Sequence, residues 1–451
     1  MGANITLDRC GVKGLKRVLK LGLNLAGDRT AHAAALALGF KVAGSGLAIV
    51  MFGVAARLMG ADKFGQFAIL FNIASFLAVA ACLGQETLIV RSWSEYVAKN
   101  SFDLARGAFQ FGWIIIAVSS FVFAVGLWAT GAAGWLKSDR AGLIAAAVFL
   151  GAQTALHFSS HSSRMIAGFA VSETYREIVW RLLVIGGMFM VAASEAEVSA
   201  ALFFTIAAVG MMGGVAIQSL KVKNAFPVEV RHALPRYAME QWLPRAAVMW
   251  FSACLEAASQ YADVILIGLL VTPAQAGGYF VAMRIANVFS MISSGLINYT
   301  SPRIGSMYFS QNVPDLQLLL KKLMAITLAL VVIILLALVI FGHAILGVLG
   351  STFVSEYPTL LILAFSVSAV TLAGPVSAVL QTTGHELTYS RALVFSMAAR
   401  LVLFLVFVTW LGSLGAAIAW GLSTVPLNLV LARICRKKIG IDPSILALLH
   451  K

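Results

Sequence analysis

Residues 323–346 read LMAITLALVVIILLALVIFGHAIL and contain no Asp, Glu, Lys or Arg. A helix that crosses a membrane needs about 20 mostly apolar residues. The whole chain has a similar bias: 60% of its 451 residues are hydrophobic and 12% are charged, whereas soluble domains carry about 25% charged residues. A soluble fold has too little interior for that much apolar surface. The sequence therefore predicts a membrane protein.

Eleven further stretches meet or approach the same criterion, which makes twelve predicted spans. The fourth and fifth are short, and we expect them to extend into their flanks. The predicted fold is all-α: a polytopic membrane protein of about twelve transmembrane helices. In chain order the predicted spans are Leu36–Leu58, Phe67–Gln85, Ala108–Thr130, Ala141–Leu156, Ile178–Ala193, Val198–Leu220, Ala246–Val271, Gly277–Ile297, Leu323–Leu346, Thr359–Leu380, Ala392–Leu411 and Leu414–Ala432.

Connections that are rich in basic residues alternate along the chain with connections that contain few. Of the 33 Lys and Arg, 26 lie in the two tails and the even-numbered connections, with Arg181 at the edge of the fifth span counted among them. Basic loops stay on the cytoplasmic side, so both termini are predicted to be cytoplasmic. Most of the net charge of +14 therefore follows from the orientation of the chain in the membrane. It is not a sign of nucleic-acid binding, which a basic charge would suggest in a soluble protein. Residues 12–25 mix leucines with Lys and Arg, as in a basic amphipathic helix that lies on the inner leaflet.

A long polar connection with three prolines separates the sixth and seventh spans. The halves on either side resemble each other weakly: FGQF opens the second span and AGGY the eighth. Lobes with an even number of spans share one orientation, and transporters built in this way bind substrate between the lobes and rock them. We predict two pseudo-symmetric six-helix lobes with flanking segments: a cytoplasmic segment 1–35, an N-terminal lobe 36–220, a linker 221–245, a C-terminal lobe 246–432 and a cytoplasmic tail 433–451.

Several short runs form a family pattern. They are ARLMGADKFG at 56–65, DVILIGLL at 263–270, GGYFVAMR at 277–284, SPR at 301–303, QTTGHE at 381–386 and GSLGAA at 412–417. Through them the chain resembles the polysaccharide transporter family. That family includes the Wzx-type O-antigen flippases and belongs to the multidrug/oligosaccharidyl-lipid/polysaccharide exporter superfamily.

The resemblance implies a transport function. It implies that an undecaprenyl-pyrophosphate-linked oligosaccharide is moved from the cytoplasmic to the periplasmic leaflet of a bacterial inner membrane, for lipopolysaccharide or exopolysaccharide synthesis. Membrane lipid, a polysaccharide polymerase and chain-length machinery are the implied partners. No enzymatic chemistry, metal or cofactor is implied.

Apart from the edge residue Arg181, six charged residues fall inside the predicted spans, where a charge should face a cavity or a partner. They are Lys41, Arg57, Arg284 and Arg400, which are basic, and Glu256 and Asp263, which are acidic. The surplus of cations suits an anionic substrate, because Arg offers a fork of donors to phosphate oxygens. We predict that the four basic residues bind substrate, together with Asn287, which shares a helix face with Arg284.

Some of these positions have a second interpretation. Lys41 lies close enough to the inner end of its span to snorkel to the headgroups. Asp263 and Arg284 are predicted at nearly equal depth, where they would form a structural ion pair. Glu256 is a candidate for binding a coupling proton or cation, and pairing with Arg400 is the alternative.

Two other classes of function compete with the flippase. A cation-coupled multidrug exporter of the same superfamily would use buried carboxylates, and the predicted N-terminal spans contain none. A membrane enzyme of glycan assembly, such as a polymerase, would need a longer outer loop for a catalytic domain. His157 and His161 lie four residues apart without the Glu of a zinc HExxH motif, so we interpret them as a polar pair at the membrane edge.

Overall fold

The computed structural model describes residues 29–134, 139–194, 197–310 and 312–449. Within these ranges the chain is almost entirely helical and has no β-strand, which confirms the all-α prediction. The predicted amphipathic segment at 12–25 lies outside the described residues. Numbered in chain order, the α-helices are α1 Arg29–Met59, α2 Ala61–Ala81, α3 Gln85–Ala98, α4 Phe102–Ala132, α5 Arg140–Ile166, α6 Phe169–Glu173, α7 Trp180–Ala193, α8 Ala200–Ala225, α9 Val228–His232, α10 Met239–Leu270, α11 Pro273–Ala286, α12 Val288–Phe309, α13 Val313–Leu349, α14 Tyr357–Leu372, α15 Val376–Thr382 and α16 Glu386–Ile434.

Nine helical stretches among the described residues are long and apolar enough to cross a membrane. The predicted fifth span, Ile178–Ala193, covers the end of a π-helical turn at Thr174–Val179 and all of α7, and α6 precedes this turn. The predicted eighth span is divided between α11 and α12, which meet at Asn287. The eleventh and twelfth spans lie together in α16. The nine stretches therefore correspond to ten of the twelve predicted spans, and the fifth and eighth spans, whose helices are interrupted, are not among them.

Helix α16 reverses direction at Gly412, which has non-helical φ 57° and ψ −132°. The Ser396 hydroxyl near one end donates to the Ser423 carbonyl 3.1 Å away on the other arm. A side chain at Gly412 would overlap the Gln275 amide, and the Gln275 Oε1 accepts from the Ser413 N–H at 3.1 Å. The GSLG turn thus separates two antiparallel spans, as the sequence predicts.

The N-terminal and C-terminal halves meet where α2 packs along α10 and α11. We call the end that carries the connections at residues 60, 133–134, 271–272 and 412 the outer end, after the predicted orientation, and the opposite end the inner end. Towards the outer end, buried phenylalanines from both halves form one cluster, with Phe52 against Phe280 at 4.8 Å and Phe64 against Phe353 at 5.8 Å between ring centroids. Such edge-to-face pairs add about 0.5–1.5 kcal/mol each beyond area burial. The halves are therefore closed against each other at this end.

A backbone contact between Gly65 and Pro273 also closes the outer end. A Cβ at Gly65 would overlap the Pro273 carbonyl, and a Cβ at Gly277 would meet Gly65. Because the obstructing atoms belong to the backbone, no rotamer change relieves the overlap. Only glycine at position 65 permits the observed approach of the halves.

We expect Gly65→Ala to open the outer end. Overpacking costs about 1–3 kcal/mol, which raises the population of the open state by about 5- to 150-fold. The measurement is the rate at which a membrane-impermeant maleimide labels Ala276→Cys, a buried outer-end position. The matched control is Gly126→Ala, where nothing lies within 4 Å of the added Cβ; equal labelling rates in the two backgrounds would contradict the prediction.

Candidate functional site

A cavity of about 490 Å³ lies between the two halves. Helices α1, α2, α3, α5, α7 and α8 line it from the N-terminal half, and α10 and α11 from the C-terminal half. It extends from Phe52 and Phe71 in the phenylalanine cluster to Lys41 and His161 nearer the inner end. Its charged lining residues are four bases and three acids: Lys41, Arg176, Arg181, Arg284, Glu86, Glu177 and Glu256. We call this space the central cavity.

Arg284 enters the central cavity from α11. Its guanidinium lies over the ring of Phe280, 4.9 Å from the centroid, and over Phe52 of the opposite half at 5.2 Å. Cation–π contacts of this kind are worth about 0.5–2 kcal/mol. Among the described residues, none accepts a hydrogen bond from Arg284 or forms an ion pair with it. The cation is therefore held in place by aromatic rings and keeps its donors for a ligand.

Arg176 enters the central cavity from the N-terminal half. It lies in the π-helical turn Thr174–Val179, a distortion of the kind that is frequent at functional sites. Within the described part of the chain its guanidinium has no hydrogen bond or ion pair. The cavity thus contains two uncommitted guanidiniums, one from each half. Sequence reasoning missed Arg176 because hydropathy placed it in a connection.

Lys41 lines the central cavity but is already paired. Its ammonium lies 2.7 Å from Glu177 and 3.7 Å from Glu173. Arg181 also donates to Glu177, at 2.9 Å, and Arg164 pairs with Glu173. These ion pairs connect α1 to α6 and the π turn. The Lys41 ammonium therefore binds carboxylates inside the protein, which snorkelling to the headgroups does not explain.

The expectation that the N-terminal spans lack carboxylates is wrong. Glu173 and Glu177 are buried in the continuous helical path that leads into α7, and Glu86 is buried at the start of α3. All three fall just outside the apolar windows that defined the predicted spans. The N-terminal half therefore does contain buried carboxylates of the kind that a multidrug exporter would use.

The predicted ion pair between Asp263 and Arg284 is also wrong. Asp263 pairs with Arg400 instead and accepts a hydrogen bond from the Tyr279 hydroxyl at 2.8 Å. Arg400 donates further to the Ser259 carbonyl at 3.1 Å. Arg400 and Ser259 face a separate cavity of about 260 Å³ within the C-terminal half. Arg400 thus lies in a buried structural pair, away from the central cavity.

The other predicted site residues are distributed unevenly. Glu256 lines the central cavity, and its coupling role stays a prediction. Arg57 is exposed near the outer end of α1, and Asn287 sits at the break between α11 and α12; neither lines the cavity. The geometry therefore brings together Lys41, Arg284 and Glu256 and leaves Arg57 and Asn287 outside.

His157 and His161 line the central cavity rather than a membrane edge. Nδ1 of His161 lies 2.8 Å from the carbonyl oxygen of His157, one turn earlier in α5. No group of three potential metal ligands occurs among the described residues. The two rings add hydrogen-bonding groups to the cavity wall.

These features define a class: a multi-pass helical membrane protein with a charged cavity between its halves. The fold is that of known transporters. A multidrug resistance MATE family transporter of the MOP superfamily, in an inward-facing conformation, matches with a TM-score of 0.71 and 13% identity, over 88% of this chain and 94% of that one. The lipid II flippase MurJ, in an inward closed conformation, matches with a TM-score of 0.66 and 12% identity, over 91% of this chain and 90% of that one.

Sequence comparison gives one further likeness. The chain is 21% identical over 387 residues to a probable low-salt glycan biosynthesis flippase, Agl15, of Haloferax volcanii, which covers 85% of this chain and 78% of that protein. No family model matches the chain. The proteins that resemble it in fold and sequence are thus transporters and flippases.

Proposed function

We propose that this protein is a flippase for an undecaprenyl-pyrophosphate-linked oligosaccharide, which it moves from the cytoplasmic to the periplasmic leaflet of a bacterial inner membrane. The observation that carries the proposal is the pair of uncommitted guanidiniums, Arg176 and Arg284, which face one cavity from opposite halves. A flippase must replace the lost hydration of a diphosphate while the polyprenyl chain stays in lipid. Arg does so with a planar fork of donors that matches phosphate oxygens.

The position of the two cations suggests how binding couples to movement. A diphosphate that accepts from both Arg176 and Arg284 contacts both halves, so its affinity depends on the distance between them. The outer end is closed by the phenylalanine cluster and by Gly65 against Pro273. Release toward the outer leaflet requires those contacts to separate, as expected for alternating access.

The likenesses to the lipid II flippase MurJ and to the probable glycan biosynthesis flippase Agl15 support this proposal. A polysaccharide polymerase and chain-length machinery would use the product at the outer leaflet. Lipopolysaccharide, including O-antigen, and exopolysaccharide are the surface glycans that this route serves.

A second candidate is a cation-coupled multidrug exporter. It is favoured by Glu86 and Glu256, carboxylates that line the central cavity and form no ion pair among the described residues. It is also favoured by the likeness to a multidrug resistance transporter. A cationic drug would bind these acids and be repelled by the two guanidiniums.

Liposomes that contain the purified chain distinguish the two functions. We expect fluorescent undecaprenyl-pyrophosphate-linked disaccharide in the inner leaflet to become accessible to a membrane-impermeant quencher, and we expect Arg176→Gln to reduce that rate. Arg57→Gln, which changes an exposed outer-end arginine, is the matched control. Uptake of a cationic dye driven by a proton or sodium gradient, without movement of the lipid-linked sugar, would establish the exporter instead.

A further inference from the structure

A second cavity of about 350 Å³ lies at the inner end of the N-terminal half. It is enclosed by α4, α5, α8 and the segment that links the halves. We call it the linker pocket and define it by Arg106, Phe109, Trp113, Ser219, Lys223 and Arg231. The transport function assigned above does not use this pocket.

Three basic residues of the linker pocket lie without a carboxylate partner among the described residues. Arg106 donates to the carbonyls of Arg231 and Ala233, the latter at 2.8 Å, and Arg231 donates to the Lys223 carbonyl at 2.6 Å. These hydrogen bonds to backbone carbonyls hold the guanidiniums of Arg106 and Arg231 in place and provide no counter-ion for their charge. None of the three forms an ion pair with a carboxylate of the described residues. The pocket is therefore a concentrated positive site.

The opposite wall of the linker pocket is aromatic. Phe109 packs edge-on against Phe226 at 5.4 Å, and Trp113 against Phe158 at 5.1 Å between centroids. A site with a cationic rim and an apolar wall complements an amphiphile that has an anionic head and a hydrocarbon tail. A free inorganic anion would leave the aromatic wall unused.

The linker itself presents apolar side chains outward. Leu234 is 85% exposed, Val228 60%, Met239 48% and Tyr237 45%. Arg231 and Arg236 lie among them, as does Glu229, and exposed apolar side chains beside basic ones are typical of segments that lie in the membrane interface. From this exposure we expect the linker pocket to lie at the depth of lipid headgroups.

We propose that the linker pocket binds the phosphate of an anionic glycerophospholipid from the leaflet at the inner end. Lys223 and Arg231 contact the phosphate, Arg106 holds the linker in register, and one acyl chain lies along Phe109 and Trp113. Basic pockets between helices at this depth are suited to such headgroups. The bound lipid connects the linker to α4 and α8 and so braces the N-terminal half against the segment that joins it to the other half.

Native mass spectrometry of the full chain, exchanged into detergent with defined amounts of phosphatidylglycerol or phosphatidylcholine, tests the proposal. We expect one phosphatidylglycerol to bind in preference to phosphatidylcholine. Lys223→Gln/Arg231→Gln should weaken that binding by about 30-fold, since each basic residue near a lipid surface contributes a factor of about five. The matched control is Lys221→Gln/Arg236→Gln, which removes the same charge from exposed residues outside the pocket.

Three outcomes would overturn the assignment. Equal losses in the two double variants would show diffuse attraction to the basic surface. Displacement of the lipid by millimolar glycerol 3-phosphate would show a site for a soluble phosphate. Equal binding of phosphatidylcholine and phosphatidylglycerol would show that charge does not select the lipid. Because none of these measurements involves transport, the proposal fails or stands independently of the flippase function.

Discussion

Arg284→Gln is expected to slow the movement of the lipid-linked oligosaccharide by at least about 30-fold. Removing one side of a desolvated, hydrogen-bonded charge pair costs about 2–5 kcal/mol, and here the pair is Arg284 with the diphosphate of the substrate. Arg284 has no carboxylate partner among the described residues that would compete with the diphosphate for the guanidinium. Arg284→Lys keeps the charge and loses the fork, so an intermediate rate is expected. The rate is measured in liposomes that contain the labelled lipid-linked disaccharide.

Two controls separate binding from folding. Arg284→Gln also removes its contacts with the rings of Phe52 and Phe280, so the variant must be compared with wild type by thermal unfolding in detergent. Arg57→Gln is expected to transport within about twofold of wild type, because Arg57 does not line the central cavity. A normal rate in a folded Arg284→Gln protein would remove this residue from the substrate site.

Apolar runs were sufficient to predict the helical path. The span at 323–346 lies within α13, and the predicted boundary between the last two spans falls at the Gly412 turn. Both follow from strong local signals: a long run without charge, and a glycine in a polar turn. The sequence also identified Arg284 of α11 as a candidate site residue, because an Arg inside hydrocarbon requires a cavity or a partner.

The partners of the buried charges could not be predicted from one sequence. Depth along a helix follows from residue number, whereas rotation about the helix axis and the choice of neighbouring helix do not. Asp263 and Arg284 were therefore paired by depth, although Arg400 of α16 holds that carboxylate. Arg176 was missed for a related reason: with Glu177 beside it, no apolar window includes it, and a π turn directs it into the cavity.

Arg400→Met is expected to destabilise the protein by about 3–5 kcal/mol, since it leaves the Asp263 carboxylate buried without its cation. The measurement is the thermal midpoint of the purified protein. Replacement of both charges by apolar side chains is often neutral or stabilising. The compensated variant is Asp263→Leu/Tyr279→Phe/Arg400→Met, in which Tyr279→Phe removes the hydroxyl that would otherwise lose its acceptor.

The compensated variant also decides what Arg400 does. If Arg400 only neutralises Asp263, the triple variant regains the wild-type midpoint and moves the lipid-linked oligosaccharide at a near wild-type rate. If Arg400 contacts substrate, as its position in the eleventh predicted span first suggested, the triple variant folds but does not transport. The geometry favours the first result, because Arg400 donates to Asp263 and Ser259 within the C-terminal half and does not line the central cavity.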